Sequence, residues 1–175
     1  MVLSFTLTVW AGPSDVVAPE RDFEFDASTG TITGYIGPGG DVVIPSTIGG
    51  VTVRVIGDWV FAGNDRITSV IIPYGVTHIG YMSFFYYSLT SITIPASVTS
   101  IDRQAFVHCR KLYTVYFESA TPPATVGGNA FFDVAPGARA MVPPGATAFG
   151  PEGSLWNGLI VTYNTNNYNP PTGRG

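Results

Sequence analysis

The sequence predicts a mainly β solenoid, built from short strands and tight turns with at most short helical turns. Three observations carry this. One apolar motif recurs down the chain: 70–91 read VIIPYGVTHIGYMSFFYYSLTS and 92–114 read ITIPASVTSIDRQAFVHCRKLYT. Pro73 to Pro95 and Phe84 to Phe106 share one interval, so the two copies keep one register. Val, Ile, Thr, Phe and Tyr dominate over good helix formers, which favours strands, and 21 Gly and 14 Pro supply frequent turns.

The elements follow in order. Residues 1–20 form an N-terminal strand segment. In MVLSFTLTVWAG, Ser4, Thr6 and Thr8 alternate with Leu3, Phe5, Leu7 and Val9, which places those four apolar residues on one strand face. No Lys or Arg precedes Arg21, so the stretch reads as a strand rather than a secretion signal. Residues 21–163 form the solenoid with its caps. Four copies occupy about 42–69, 70–91, 92–114 and 115–140. In each, an aliphatic residue precedes a Phe by five positions: Ile56 and Phe61, Ile79 and Phe84, Ile101 and Phe106, Val126 and Phe131. The trios Ile67/Val70/Ile72, Leu89/Ile92/Ile94 and Leu112/Val115/Phe117 share a spacing, and the last two of each sit at i and i+2 on one strand face. No copy can bury its apolar face alone, so neighbours must stack. Residues 164–175, with no apolar periodicity, read as a polar tail.

The pattern LxxIxIPxxVxxIxxxAFxxCxxL, which 92–114 match with Ala105, Phe106, Cys109 and Leu112, resembles the BspA-like leucine-rich repeat. FEFDASTGTITGYIGPGGDVVIP resembles the family's capping start, and ARAMVPPGATAFGPEGSLWNGLIV its closing segment. The resemblance covers about 21–163. The second copy departs from it with Ser83 before Phe84 and Tyr87 in the Cys place, and the fourth carries a Pro-Pro insertion. It implies a leucine-rich-repeat solenoid on an extracellular or cell-surface protein, often an adhesin or host-binding protein, with no catalytic residues; no cofactor is expected.

The residues themselves point to little chemistry. Net charge is −4 with no basic block, which gives nucleic acid no electrostatic footing. No apolar run is long enough to span a bilayer. His108 adjoins Cys109, but adjacent residues on a strand or turn point apart, so a structural thiol is expected there rather than a nucleophile. Glu20, Asp22, Glu24 and Asp26 alternate with Arg21, Phe23 and Phe25. Extended, the four carboxylates would share a face and make a Ca²⁺ candidate, against the plainer reading of a solvated capping strand. No nucleotide loop or nucleophile elbow is present.

The expected binding surface is the outward row between buried strand positions: Val43, Ile71, Thr93, Tyr116 and Met141. Apolar residues on an exposed ladder suit a partner, and Asp at Ile71 is then expected to leave the fold intact. Tyr81, Tyr86, Tyr87 and Tyr113 add aromatic surface. Two functions follow. The first is a non-catalytic, adhesin-like recognition module that binds protein or glycan on this ladder. The second is a structural subunit of an extracellular filament, surface layer or virion coat, assembled from copies of itself through Leu3, Phe5, Leu7, Val9 and the solenoid surfaces. With only 11% charged residues, against roughly 25% in an average domain, little repulsion keeps copies apart.

Overall fold

A computed structural model of the chain describes residues 16–85 and 88–165. Two sheets of short strands face each other across one core. The first sheet contains β1 (Phe23–Asp26), β2 (Thr31–Tyr35), β6 (Val55–Ile56), β8 (His78–Ile79), β10 (Ser100–Ile101) and β12 (Thr125–Val126), neighbours in that order. The second runs β3 (Gly40–Val43), β7 (Ile67–Ile71), β9 (Ser91–Ile94), β11 (Thr114–Phe117), β13 (Arg139–Val142), β15 (Leu159–Tyr163) and β14 (Leu155–Trp156). A small hairpin of β4 (Thr47–Ile48) and β5 (Val51–Thr52) accommodates the extra residues of the first copy. The only helical turns among the described residues are 3₁₀, at Glu20–Asp22 and Thr147–Phe149. The expected solenoid is therefore what the chain forms.

Register explains the repeat. Val42, Val70, Ile92, Val115 and Ala140 pair in succession through parallel strands, and Ile32, Ile56, Ile79, Ile101 and Val126 do so in the opposite sheet. Alternation sends these side chains inward, and the first four of each row are at most 1% exposed. Phe61, Phe84, Phe106 and Phe131 stack between the sheets with centroids 5.0 Å apart at each step. The column is closed at one end by Tyr35 on Phe61 and at the other by Trp156 on Phe131. Each coil then packs tightly on the last. A Cβ at Gly127 would overlap the backbone of Arg103, and one at Gly80 would lie 2.7 Å from the Gly57 carbonyl carbon.

The caps differ from the sequence expectation in one respect. Glu20 and Asp22 lie in a 3₁₀ turn, and only Glu24 and Asp26 are in β1. The four carboxylates therefore do not share a strand face. Glu20 Oε2 accepts the Gly49 N–H at 2.9 Å, while Asp26 accepts the Ser28 N–H and the Ser28 and Thr29 hydroxyls. Each is occupied in ordering a separate turn, and no group of three metal-ligating side chains occurs among the described residues. A proline at 19 and the turn it starts broke the alternation that the Ca²⁺ candidate required.

Candidate recognition surfaces

The ladder row forms in the expected register. Val43 pairs with Ile71, Ile71 with Thr93, Thr93 with Tyr116 and Tyr116 with Met141. Its exposure is another matter. Val43, Ile71 and Thr93 are only 5%, 4% and 4% exposed, and Tyr116 and Met141 are half-buried. The expectation of an open row is therefore corrected for its first three members. Val43 and Ile71 lie outside the core cluster, as outward residues should. Alternation fixes the face a side chain takes; it carries no information about what lies over that face. Val17 also bridges to Val43 in parallel, so β3 is not a bare edge. The expected assembly residues, Leu3, Phe5, Leu7 and Val9, fall outside the described residues, as do Tyr86 and Tyr87.

A second surface runs along the turn edge, where each coil passes from the first sheet to the second. Here the backbone enters the left-handed region at non-glycine residues: Trp59 (φ 62°), Met82 (49°), Gln104 (59°), His108 (61°), Asn129 (59°) and Asp133 (57°). Such a conformation is uncommon outside Gly, Asn and Asp, and its recurrence in every coil is a device of the fold. It turns successive side chains outward and brings aromatic rings from neighbouring coils together. Trp59 meets Tyr81 edge-on at 5.6 Å and Phe85 at 5.9 Å. Phe85 meets His108 at 5.7 Å, and His108 meets Phe132 at 6.2 Å. The Arg103 guanidinium lies 4.9 Å over the Tyr81 ring. Trp59 and Phe132, at the two ends of this strip, are 49% and 56% exposed.

Ionic contacts brace the strip. Asp133 accepts from His108 Nδ1 at 2.7 Å and from Arg110 Nε at 2.8 Å, and those two hydrogen bonds hold its carboxyl below the ordinary 3.8. His78 Nε2 lies 3.3 Å from Asp102 Oδ2. Cys109 is fully buried, and its thiol donates to the Phe84 carbonyl at 2.8 Å. His108 is engaged with Asp133, so the two neighbours point to different partners, as a structural thiol requires.

Of this strip the sequence reading named only Tyr81 as aromatic surface. The signal for the rest was present in the register. Trp59 stands two positions before Phe61, Phe85 and Phe132 one after their column Phe, and His108 two after Phe106. Without the left-handed turns, nothing said that these positions converge.

The chain is similar to known proteins in the following ways. The model for the BspA type leucine-rich repeat region matches residues 41–148 in six copies. The crystal structure of a T. pallidum leucine-rich repeat protein is similar, with a TM-score of 0.58 at 20% identity, over 85% of this chain and 84% of that one. A leucine-rich cell surface protein from Faecalibacterium prausnitzii is 28% identical over 73% of this chain and 44% of that one, with a TM-score of 0.47. No curated protein matches the chain.

Proposed function

The chain belongs to the BspA-type leucine-rich repeat family, and from that premise we propose that it is a non-catalytic recognition module, displayed outside the cell or on its surface, that binds protein or glycan. The observation that carries this reading is the aromatic strip of the turn edge, five rings from four successive coils in unbroken edge-to-face contact. Aromatic side chains give large contact area at low entropic cost and dominate binding hot spots. Rings already held by their neighbours lose still less freedom on binding. The half-buried end of the ladder, Tyr116 and Met141, is the lesser surface.

The test is a panel of immobilised polysaccharides and extracellular proteins, with the parent chain and the variant Tyr81→Ala/Phe85→Ala. The expected result is retention by at least one class and a loss of tenfold or more in the variant, a difference of about 1.4 kcal/mol, with an unchanged circular dichroism spectrum. Equal binding by both, or no retention on any surface, overturns the reading. The variant Tyr116→Ala places the site on the ladder if it alone abolishes binding.

A further inference from the structure

The aromatic strip carries one ring per coil, Trp59, Phe85, His108 and Phe132, with Tyr81 packed beside Trp59. Its ends differ from its middle. Trp59 and Phe132 are exposed, whereas Tyr81 and Phe85 are half-buried between their neighbours. Only the ends therefore offer open ring surface. Coils stack at 5.0 Å in the parallel Phe column, so the two open rings stand three coil steps, about 15 Å, apart along the stack. An open cleft of about 520 Å³ adjoins Phe132, with Asn129 and Asn157 among its walls. Among the described residues the side-chain amides of Gln104, Asn129 and Asn157 make no hydrogen bond. No block of one charge lines the strip. Asp133 accepts from His108 and Arg110, Asp58 accepts the Tyr81 N–H, Asp102 lies beside His78, and Arg103 lies over Tyr81.

We infer that the ligand of this strip is a neutral, extended polysaccharide, laid along the stack with one sugar on Trp59 and a later sugar of the same chain on Phe132. This rests on the reading of the strip as the binding surface and names its ligand class. Three features select that class. A pyranose carries an apolar face of C–H groups, whose hydrogens fit the negative face of an aromatic ring; two open rings suit two sugars. Its rim of hydroxyls both donates and accepts, as do the amides of Gln104, Asn129 and Asn157. A neutral chain asks for no counter-charge, and the charged groups of the strip are already engaged with one another. Length adds a constraint. A hexose in an extended β-linked chain advances about as far as one coil, so a tetrasaccharide spans from Trp59 to Phe132 and a disaccharide reaches only one of them. Two weak contacts on one ligand reinforce each other once the chain is long enough to make both.

The test has two arms. In the first, the full chain is passed over immobilised β-glucan, β-mannan and chitin, and over hyaluronan and heparin as acidic polymers, at low and high salt. Retention on a neutral polymer is expected, unchanged by salt because no charge pairing is there to be screened. In the second, soluble oligomers of the retained sugar, from dimer to hexamer, are titrated by calorimetry. Affinity should rise tenfold or more from dimer to tetramer and then level off. Trp59→Ala and Phe132→Ala should each remove that rise while the dimer still binds, and Trp59→Phe should restore it. Both residues are at the surface in different coils, so melting curves identify a variant that fails to fold and the other decides. Retention nowhere, retention only on acidic polymers or proteins, retention lost at high salt, affinity independent of length, or a rise that survives both substitutions overturns the inference. If Tyr81→Ala/Phe85→Ala loses retention of a protein or an acidic polymer, the strip stands as the surface and only the ligand class fails. If retention of any kind is indifferent to that variant, the surface itself is misplaced.

Discussion

The rings of Phe106 and Phe131 lie 5.0 Å apart and within 2° of parallel, one coil over the next. Phe106 is 0% exposed and stacks on Phe84 from its other side. Truncating it opens the column at its middle, where the facing sheets cannot collapse without breaking strand register. Phe106→Ala should lose about 3–5 kcal/mol, the range for a buried aromatic, measured by urea unfolding. A loss below about 1 kcal/mol would show that the column does not support the stack.

Ser83 occupies the position before a column Phe that Ala105 and Ala130 hold in the next two coils. Among the described residues its hydroxyl is buried with no hydrogen-bond partner. Burying such a group unpaired costs about 1–3 kcal/mol. Ser83→Ala should therefore raise stability by about 1 kcal/mol, allowing for the small cavity left. Thermal melting reads it as a higher Tm; a fall in Tm refutes it.

Asp133 gives the acid response a sign. Its carboxyl is depressed in the fold, first by His108 and then by Arg110. A depressed carboxylate stabilises the fold above the ordinary carboxylate range, and that contribution disappears as pH falls through the depressed value. The stability gap between parent and Asp133→Asn should thus be widest near neutrality and narrow in strong acid. Denaturant midpoints at both conditions measure it, and a gap that widens in acid contradicts the assignment.

Ile71→Asp now has an outcome opposite to the one its sequence position suggested. With Ile71 4% exposed, the carboxylate enters a desolvated site and apolar contact is lost. The expected loss is about 3–5 kcal/mol. Tyr116→Ala, in the half-buried part of the same row, should lose only about 1–2 kcal/mol. Matching losses by chemical denaturation would mean that the row is uniformly covered.

Most of the fold was legible because the repeat states it redundantly. The Pro-to-Pro and Phe-to-Phe intervals between copies fixed the coil length, the repeated Ile-to-Phe spacing fixed the inward columns, and Val70, Ile92 and Val115 pair in that register. The surfaces were less legible, for three physical reasons. A period of two cannot report a cover over Ile71. Pro19 interrupts the strand that Glu20 and Asp22 were expected to join. The aromatic strip depends on left-handed turns at Trp59, Gln104 and His108, residue types that do not announce that conformation as glycine would.

The parallel register has a mechanical consequence. Successive coils are joined by short rungs of hydrogen bonds, and most of those bonds run from one coil to its neighbour rather than within a coil. A pull applied through the two chain ends along the stack therefore loads the outermost rungs first, a few at a time, instead of shearing a long strand pair all at once. The cap hairpins, β1 with β2 and β14 with β15, are where such a load arrives. Under tension this protein should lengthen by shedding coils from its ends, each released turn adding slack while the remaining columns keep their packing.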